Sequence, residues 1–324
     1  MDETRSPTNL FNIIQKVVTA NGERRECSKN RRNPWRQSGV FADEGVVKAS
    51  FPRTELDVTI DSKSMHPFMG LTSWVSFQKG PRKGVEVMIM GDLFLFEDEV
   101  NLAMSTALAN SIEITALHNH FFFDNPKIYF MHIGGEGNLE PIALGIRNVL
   151  DEVKALRAKG PKPAAEFEGQ RVPSDNVIDG NPIEKILEAA GQSKSGMFKI
   201  VIGRKTKAGC GCIVGKNMGV NTWAAFGGNN ENAVVCGDFA LLEDELQAVL
   251  NSLRTSDISI MAIHNHMTFE QPRFIFIHYW GKGRAADLAH SLKSALDKTH
   301  ESNLQSFQET NSRENVNSKC DHCD

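Results

Sequence analysis

The chain has 324 residues and a formal net charge of −4, with 40% hydrophobic and 23% charged residues. This composition is ordinary for one large or two medium-sized globular domains, which are long enough to bury an apolar core. The slightly acidic balance argues against nucleic acid or an anionic membrane surface as a partner, and no apolar run approaches the roughly 20 residues of a membrane-spanning helix.

The N-terminus and the cysteines predict a cytoplasmic protein. The first residues, MDETRSPTNLFNIIQ, begin acidic and contain no apolar stretch of the kind that a signal peptide requires. Six cysteines in a chain of this length form no dense framework, which favours a reducing compartment. Cys320 and Cys323 flank His322 in a Cys-x-x-Cys pair, which is either a metal or redox motif or a chance pair in a disordered tail.

The chain contains an internal duplication. GDLFLFEDEV…HIGGEG, which starts at Gly91, aligns without a gap with GDFALLEDEL…YWGKG, which starts at Gly237. Upstream, GLTSWVSF matches GVNTWAAF, and GVVKASFPR matches GMFKIVIGR. The sequence therefore predicts the following division: a disordered start 1–8, a first repeat 9–157 with a basic surface-loop insertion at 23–44, a Pro- and Gly-rich linker 158–179, a second repeat 180–300 and a disordered polar tail 301–324.

The sequences of the two repeats predict the same secondary-structure elements in the same order. A short helix, NLFNIIQKVVTANG in the first repeat, precedes strands near VVKASF, LDVTI, LTSWVSF and VEVMIMGDLFLF. The acidic clusters 97–99 and 243–245 then predict a helix start rather than a catalytic group, because acidic residues favour the positive end of the helix dipole. Two strands, IEITALHNHFFF and KIYFMHI, lead through a glycine-rich turn to a last helix.

The order of these elements predicts the fold class. Strands that adjoin in the chain favour antiparallel pairing, so we expect an α+β fold with a mostly antiparallel sheet and flanking helices. Two such copies are expected to pack as a pseudo-twofold pair, much as the subunits of a homodimer do.

Three histidines recur at the same spacing in both repeats: His118, His120 and His132 in the first, and His264, His266 and His278 in the second. Residues two apart on a strand share a face, and a hairpin centred on residue 125 places His132 directly across from His118, about 4.5–5.5 Å away between alpha carbons. Three convergent imidazoles predict a site for zinc or another divalent transition metal. The alternative is a hydrogen-bonded histidine cluster in the core that fixes the strand register.

An acid follows each histidine pair at the same distance, Asp124 in the first repeat and Glu270 in the second. It is a candidate metal ligand, a carboxylate that orients a ligand, or a general base. The alternative is a turn acid paired with Lys127 or Arg273. The intervening Asn119 and Asn265 are expected to face the other way and to bond to the backbone.

Three further features have simpler interpretations. Gly134, Gly135 and Gly137 are expected to form a plain turn, with an anion cradle as the alternative, and they lack the pattern of a nucleotide-binding loop, so no nucleotide cofactor is predicted. Trp74 and Trp223 are expected in the core, with a ligand platform as the alternative. Asp92 and Asp238 each follow a glycine and are expected to be turn residues.

Together the motifs ASFPRTELDVTIDS, MGDLFLFEDEV and ALHNHFFFDNPKIYFMHIGGEG, with MAIHNHMTFEQPRFIFIHYWGKG in the second half, resemble the LppY/LpqO family. That resemblance implies a bacterial domain of unknown function whose members are often exported or lipid-anchored. This chain departs from the family at its start, which shows neither a signal peptide nor a lipobox cysteine, and at Asp124, where the family pattern more usually has Glu.

Two hypotheses of function follow from these motifs. The first is a metal-dependent hydrolase in which each histidine triad binds one ion, and Asp124 or Glu270 takes or orients the proton of a bound water. The second is a non-catalytic ligand-binding or interaction module in which the histidines are structural. The sequence names no substrate and no oligomeric state.

Overall fold

The structure is a computed structural model, and it describes residues 39–80 and 82–300. The predicted helix within residues 9–22, the start 1–8 and the tail 301–324 lie outside the described residues, as do Cys27, Cys320 and Cys323. The described chain divides into two compact units. The first contains the residues up to Gly169 together with Ser259–His264, and the second contains Gln170–Ile258 together with the residues from Asn265 onward.

The first unit is a mostly antiparallel sheet with two helices. Its main sheet has the order β1-β2-β5-β6-β9-β7-β16, and a small sheet has the order β4-β3-β8. The elements are β1 Gly39–Phe41, β2 Val46–Pro52, β3 Thr59–Ile60, β4 Lys63–Ser64, β5 Thr72–Lys79, β6 Val87–Phe96, α1 Glu97–Ala109, β7 Glu113–His118, β8 Asp124–Asn125, β9 Ile128–Gly137, α2 Leu139–Lys159 and β16 Ser259–His264.

The second unit repeats this arrangement. Its strands follow the order β17-β15-β14-β11-β10, with β12 and β13 forming a separate hairpin. The elements are α3 Gly180–Leu187, β10 Gly191–Lys194, β11 Met197–Gly203, β12 Thr206–Lys207, β13 Ile213–Val214, β14 Asn221–Gly228, β15 Ala233–Leu242, α4 Leu246–Thr255, β17 Phe274–Gly283 and α5 Ala285–Leu296. The predicted α+β class and the predicted antiparallel pairing hold in each unit.

The helices cover one face of each sheet. A Cβ built on Gly137 would lie 3.6 Å from Ile142 of α2, and one built on Gly281 would lie 3.0 Å from Leu288 of α5. Since side chains alternate between faces, the even-numbered positions of β6, β9, β15 and β17 point away from the helices. We call this surface the distal face; its residues are Lys48, Ser50, Trp74, Ser76, Met90, Asp92 and His132 in the first unit, and Lys199, Val201, Trp223, Ala225, Cys236, Asp238 and His278 in the second.

Part of the distal face is itself buried under a second layer. In the first unit Phe94, Phe96 and Phe130 form a core cluster with Val58 and Leu71, from the segment that carries β3 and β4. In the second unit Phe274 and Phe276 pack with Val220 and Ala240 in the same way. Each cluster ends next to an aspartate and a histidine, so these polar groups lie where the covered half of the face meets the open half.

The acidic clusters end in a buried ion pair in both units. Glu99 is fully buried and bonds to Arg53 at 2.8 and 2.9 Å, and Glu245 bonds in the same bidentate way to Arg204. Glu99 also accepts the backbone N–H of Phe96 at 2.9 Å, which is the capping role that the sequence predicted. In the second unit Glu245 accepts the backbone N–H of Leu242 at 2.7 Å in the same way, but the three acids form a turn and α4 begins only after them, at Leu246, later than predicted.

Three further predictions need correction. The glycine-rich segments are not turns: they extend β9 and β17, because Gly137 and Gly283 still pair with Val87 and Ala233. The end of the predicted insertion is not a loop either, since β1 pairs with β2 as β10 pairs with β11. The predicted strand LDVTI shortens to two residues.

No helix in the part of the chain that the structure describes is long and apolar enough to cross a membrane.

Candidate metal centre

The structure brings the three histidines of the first repeat together. His118 ends β7, His120 lies two residues further on, and His132 lies within β9. The ring centroids of His118 and His120 are 5.2 Å apart, and those of His118 and His132 are 5.0 Å apart. All three rings therefore occupy one small region of the distal face, as the spacing of the motif predicts.

The strand register that brings the three histidines together differs from the predicted register. His132 pairs with Ala116, and His118 pairs with Phe130, so the prediction that His132 lies directly across from His118 was wrong. The hairpin does not close symmetrically about residue 125, because Asp124–Asn125 leaves it to pair with β3. A shift by two residues keeps every side chain on its face, which is why the histidines still meet.

A β-bulge next to Thr115 changes the surroundings of the site. The register shifts between Ile114 and Ala116, so Ile114 pairs with Ile133 on the helix side while Ala116 pairs with His132 on the distal face. Ile114 therefore lies on the helix side, although uninterrupted alternation along the strand would place it on the same face as His118. The histidines instead border a face that is partly open to solvent.

The residue that the sequence interpretation missed is Asp92. It lies in the middle of β6, pairs with His132, and is only 8% exposed, so it is not a turn residue. Its Oδ1 is buried without a hydrogen-bond partner. Burial raises the pKa of this carboxyl, and the nearby His132, His120 and His118 oppose that rise, followed by Lys48. Asp92 is thus a carboxylate at the centre of the histidine cluster.

Asp238 occupies the same position in the second repeat. It pairs with His278 in β15 and β17, is 3% exposed, and also has a buried Oδ1 without a hydrogen-bond partner. Burial raises the pKa of Asp238 to about 6, against the opposing effects of His278 and of a hydrogen bond from the Ile277 backbone. The signal in the sequence was an aspartate inside an apolar strand, VMIMGDLFLF or AVVCGDFALL, at the same place in both repeats.

The ligand atoms converge most closely in the second repeat. One atom each from Asp238, His264 and His278 lie within 4.8 Å of one another. His266 adds its Nε2 atom 3.5 Å from Oδ2 of Asp238. Two or three imidazole nitrogens with one carboxylate oxygen form a donor set typical of zinc and similar divalent ions.

The middle histidine of each repeat is placed by an aromatic ring. His120 stacks on Phe130 with centroids 3.3 Å apart, and His266 stacks on Phe276 with centroids 3.5 Å apart. Both lie beyond the end of a strand on the exposed side of the cluster. Loss of solvation lowers the pKa of His120, with Asp92 opposing that change, so its imidazole favours the neutral form that can bind a metal or accept a proton.

The two predicted acids hold backbone groups. Oδ2 of Asp124 accepts the backbone N–H of Ile128 at 2.7 Å, and Oε1 of Glu270 accepts that of Phe274 at 3.2 Å. Each therefore braces the loop between the second and third histidines. Asn119 donates to the carbonyl of Ile128 at 3.1 Å, which confirms its expected role as a backbone partner.

The comparisons with known proteins give few similar structures. No curated protein matches the chain. The crystal structure of a trimeric bacterial microcompartment shell protein PduB aligns with 82% of this chain and 90% of that chain, at 11% sequence identity and a TM-score of 0.19. Since a TM-score this low does not indicate a shared fold, the alignment carries no argument about structure or function.

A family model described as Domain of Unknown Function (DUF1259) matches the chain twice, at residues 34–152 and 181–298. The two matches confirm the internal duplication and include all six histidines of the motif and both buried aspartates. The more specific LppY/LpqO resemblance stays a prediction. Since the two matches together span well over half of the 324 residues, the chain belongs to the DUF1259 family of domains of unknown function.

Proposed function

We propose that the protein binds divalent transition-metal ions, one at the histidine–aspartate cluster of each repeat. The observation that carries this proposal is the buried aspartate, Asp92 or Asp238, whose Oδ1 has no hydrogen-bond partner and whose neighbours are histidines. A buried carboxylate oxygen without a hydrogen-bond partner is costly to fold. A divalent ion held by the carboxylate and neutral imidazoles would remove that cost, and the presence of the same buried aspartate beside the same histidines in both repeats makes one explanation sufficient for both.

In the second repeat the proposed ligands are Asp238, His264 and His278, whose donor atoms are already within 4.8 Å of one another. In the first repeat they are Asp92, His132 and His118. His120 and His266 lie on the exposed side of each cluster, where each can complete the ligand set or exchange a proton with solvent. The proposed metal is zinc or a metal with similar preferences for nitrogen and oxygen ligands.

Hydrolase-type chemistry extends this proposal. An ion with three protein ligands retains a position for water and lowers the pKa of that water toward about 7. His266 lies 3.5 Å from Asp238 on the solvent side, which supports a role for it as the base that would take the proton that such a water releases. Asp124 and Glu270 have a different part in this proposal: their hydrogen bonds to the backbone hold the loop on which the exposed histidine is carried.

A structural role is the second candidate, and it is favoured by the ring geometry of the first repeat. The His118 ring lies at 21° to His120 and 28° to His132, so the three rings stack rather than direct their nitrogens toward one point. Stacked rings of this kind brace a hairpin without any ion. In this alternative the first repeat is a non-catalytic ligand-binding or interaction module.

Metal analysis of matched variants separates the two candidates. The untagged protein, loaded with zinc and dialysed, is expected to retain metal near one or two ions per chain, and His278→Ala and Asp238→Asn are each expected to lose one equivalent. His290→Ala is the control, because His290 is an exposed histidine on α5 outside both clusters. A parent protein without metal after reconstitution, with folded variants that differ only in stability, would leave the histidines as structural residues.

A further inference from the structure

The distal face of each repeat carries a lysine stacked over a tryptophan. Nζ of Lys48 lies 3.9 Å from the ring centroid of Trp74, and Nζ of Lys199 lies 4.2 Å from that of Trp223. A cation over an aromatic face is held there by attraction to the ring quadrupole. The interaction positions the ammonium group but leaves its N–H donors available.

The two lysines have no carboxylate at ion-pair distance among the described residues. Of the ion pairs between described groups, none includes Lys48 or Lys199. Both ammonium groups are thus without a directly paired carboxylate in the part of the chain that the structure describes, although Lys48 acts on Asp92 at longer range, and both side chains are half-buried. An ammonium in such a place attracts an anion.

The lysine and the tryptophan are retained between the repeats while their neighbours on the same face change. Ser50 corresponds to Val201, Ser76 to Ala225 and Met90 to Cys236. A lysine that served only to keep the open half of the face soluble would tolerate replacement as these neighbours do. Its retention beside the tryptophan indicates a role that both repeats share.

Register places this pair next to the candidate metal centre. Trp74 pairs with Asp92 and Asp92 pairs with His132, so tryptophan, aspartate and histidine form one row across three strands. In the second repeat Trp223, Asp238 and His278 form the same row. Each lysine lies two residues along its strand from this row and two strands from the aspartate, and two strands correspond to about 10 Å across the sheet.

From this arrangement we infer that Lys48 and Lys199 bind an oxyanion, a carboxylate or phosphoryl group, of the ligand that reaches the metal centre of each repeat. The inference rests on the proposed metal binding, and it adds the chemical class of the ligand. The tryptophan lies between the lysine and the aspartate, so its ring forms the floor on which the body of that ligand lies. A ligand that spans this floor places one acidic group at the lysine and a second oxygen at the metal.

The charges on the face are consistent with an anionic ligand. A bound divalent ion exceeds the single negative charge of Asp92 or Asp238, so the ion, the aspartate and the lysine together leave a positive surface. Such a surface raises the local concentration of anions. A hydrogen bond that involves charged partners contributes about 1.5–3 kcal/mol, which corresponds to roughly a ten- to hundredfold effect on affinity.

Cobalt(II) provides the test, because its visible absorption reports metal loading, while the fluorescence of Trp74 and Trp223 reports an anion bound at the lysine over each ring. The full chain is loaded with cobalt and titrated with inorganic phosphate and, separately, with acetate, while tryptophan fluorescence is followed. The double variant Lys48→Met/Lys199→Met is compared with Lys79→Met/Lys194→Met, which removes two exposed lysines elsewhere on the same sheets. Lys48→Arg/Lys199→Arg tests whether a positive charge alone is sufficient.

We expect the parent to bind phosphate or acetate, and the Lys48/Lys199 double variant to bind it about ten- to a hundredfold more weakly with unchanged cobalt content. The control variant is expected to resemble the parent, and the arginine variant to recover part of the affinity. Binding of phosphate alone would indicate a phosphoryl ligand, and binding of acetate alone a carboxylate. Cobalt-loaded protein that binds neither anion, or binds it equally without the lysines, would overturn the inference; failure to take up cobalt would overturn the proposed metal binding itself.

Discussion

The two repeats carry the same histidines and the same buried aspartate, but they arrange them differently. In the second repeat the donor atoms of Asp238, His264 and His278 lie within 4.8 Å of one another. In the first repeat the rings of His118, His120 and His132 stack at about 5 Å around Asp92. The comparison shows that a shared motif fixes which groups meet, whereas small differences in ring orientation decide whether they form a set of ligands.

The segment that covers the distal face differs between the repeats. In the first, β3 and β4 are joined by the two residues Asp61 and Ser62, both with positive φ. In the second, the five-residue loop 208–212 joins β12 to β13 and packs on the histidine loop, since a Cβ on Gly209 would lie 3.1 Å from Cβ of Phe269. The covering segment contacts the histidine loop in both repeats, through the pairing of β3 with Asp124–Asn125 in the first and through the bridge between Lys207 and Gln271 in the second.

The buried arginine pairs give the largest expected difference in stability. Arg204→Met leaves Glu245 buried without an arginine partner and should lower the free energy of unfolding by about 3–5 kcal/mol. Arg53→Met should cost less, because Arg157 lies 2.9 Å from Glu99 and still compensates its charge. Urea unfolding of the two variants measures this difference. Equal losses, or a larger loss for Arg53→Met, would contradict the account of the two pairs.

The comparison of the metal sites can be sharpened with one pair of substitutions. Asp238→Asn should weaken zinc binding at the tighter site by about a hundredfold or more, since even residues that only orient a ligand contribute ten- to a hundredfold. Asp92→Asn should abolish zinc binding only at the weaker site, which is the one in the first repeat. Isothermal titration of zinc into the metal-free protein and each variant gives both affinities. If Asp92→Asn removed the tighter site, the assignment of the two repeats would be reversed.

The pKa of Asp238, raised to about 6 by burial, predicts a pH-dependent stability of the metal-free protein. Below about pH 3 the carboxyl is mostly protonated in both the folded and the unfolded chain, and the cost of burying its charge is absent. As pH rises toward 6 the unfolded chain releases its proton first, so stability falls by on the order of 2–3 kcal/mol and stays lower above pH 6.

Asp238→Asn should remove this loss, so that the metal-free variant is clearly more stable than the parent at pH 7 and only slightly more stable at pH 4. Asp92→Asn should show the same trend with a smaller amplitude, because three histidines oppose the pKa rise of Asp92. Thermal unfolding of chelator-treated protein between pH 4 and 8 provides the curves. A difference between parent and variant that does not change with pH would disprove this origin of the effect.

The smallest effects on stability are expected from substitutions of Asp124 and Glu270, the acids that follow the histidine pairs. Asp124→Asn and Glu270→Gln each weaken one hydrogen bond to a backbone N–H and should cost about 1 kcal/mol of stability. Metal content should not change in either variant. Loss of metal from Glu270→Gln would instead identify Glu270 as a ligand, as the spacing of the motif first allowed.

The sequence was sufficient to predict the internal duplication, the α+β class and the proximity of the histidines within each repeat. These features depend on the periodicity of the sequence and on the similarity between its two halves. It was not sufficient for the register, since a bulge beside Thr115 and the pairing of Asp124–Asn125 with β3 are tertiary effects. Asp92 was missed for a related reason: a glycine–aspartate pair resembles a turn until its strand is known to continue through it. Gly134, Gly135 and Gly137 were predicted to form a turn for the same reason, although β9 continues through them.

The central claim is that each buried aspartate and its histidines hold a metal ion. Anomalous diffraction from crystals grown with zinc, with data collected on both sides of the zinc absorption edge, tests it most directly. The account predicts a strong anomalous peak among Asp238, His264 and His278, and a weaker one beside Asp92 and His132. Ordered histidines and aspartates with no anomalous peak at either cluster would contradict it.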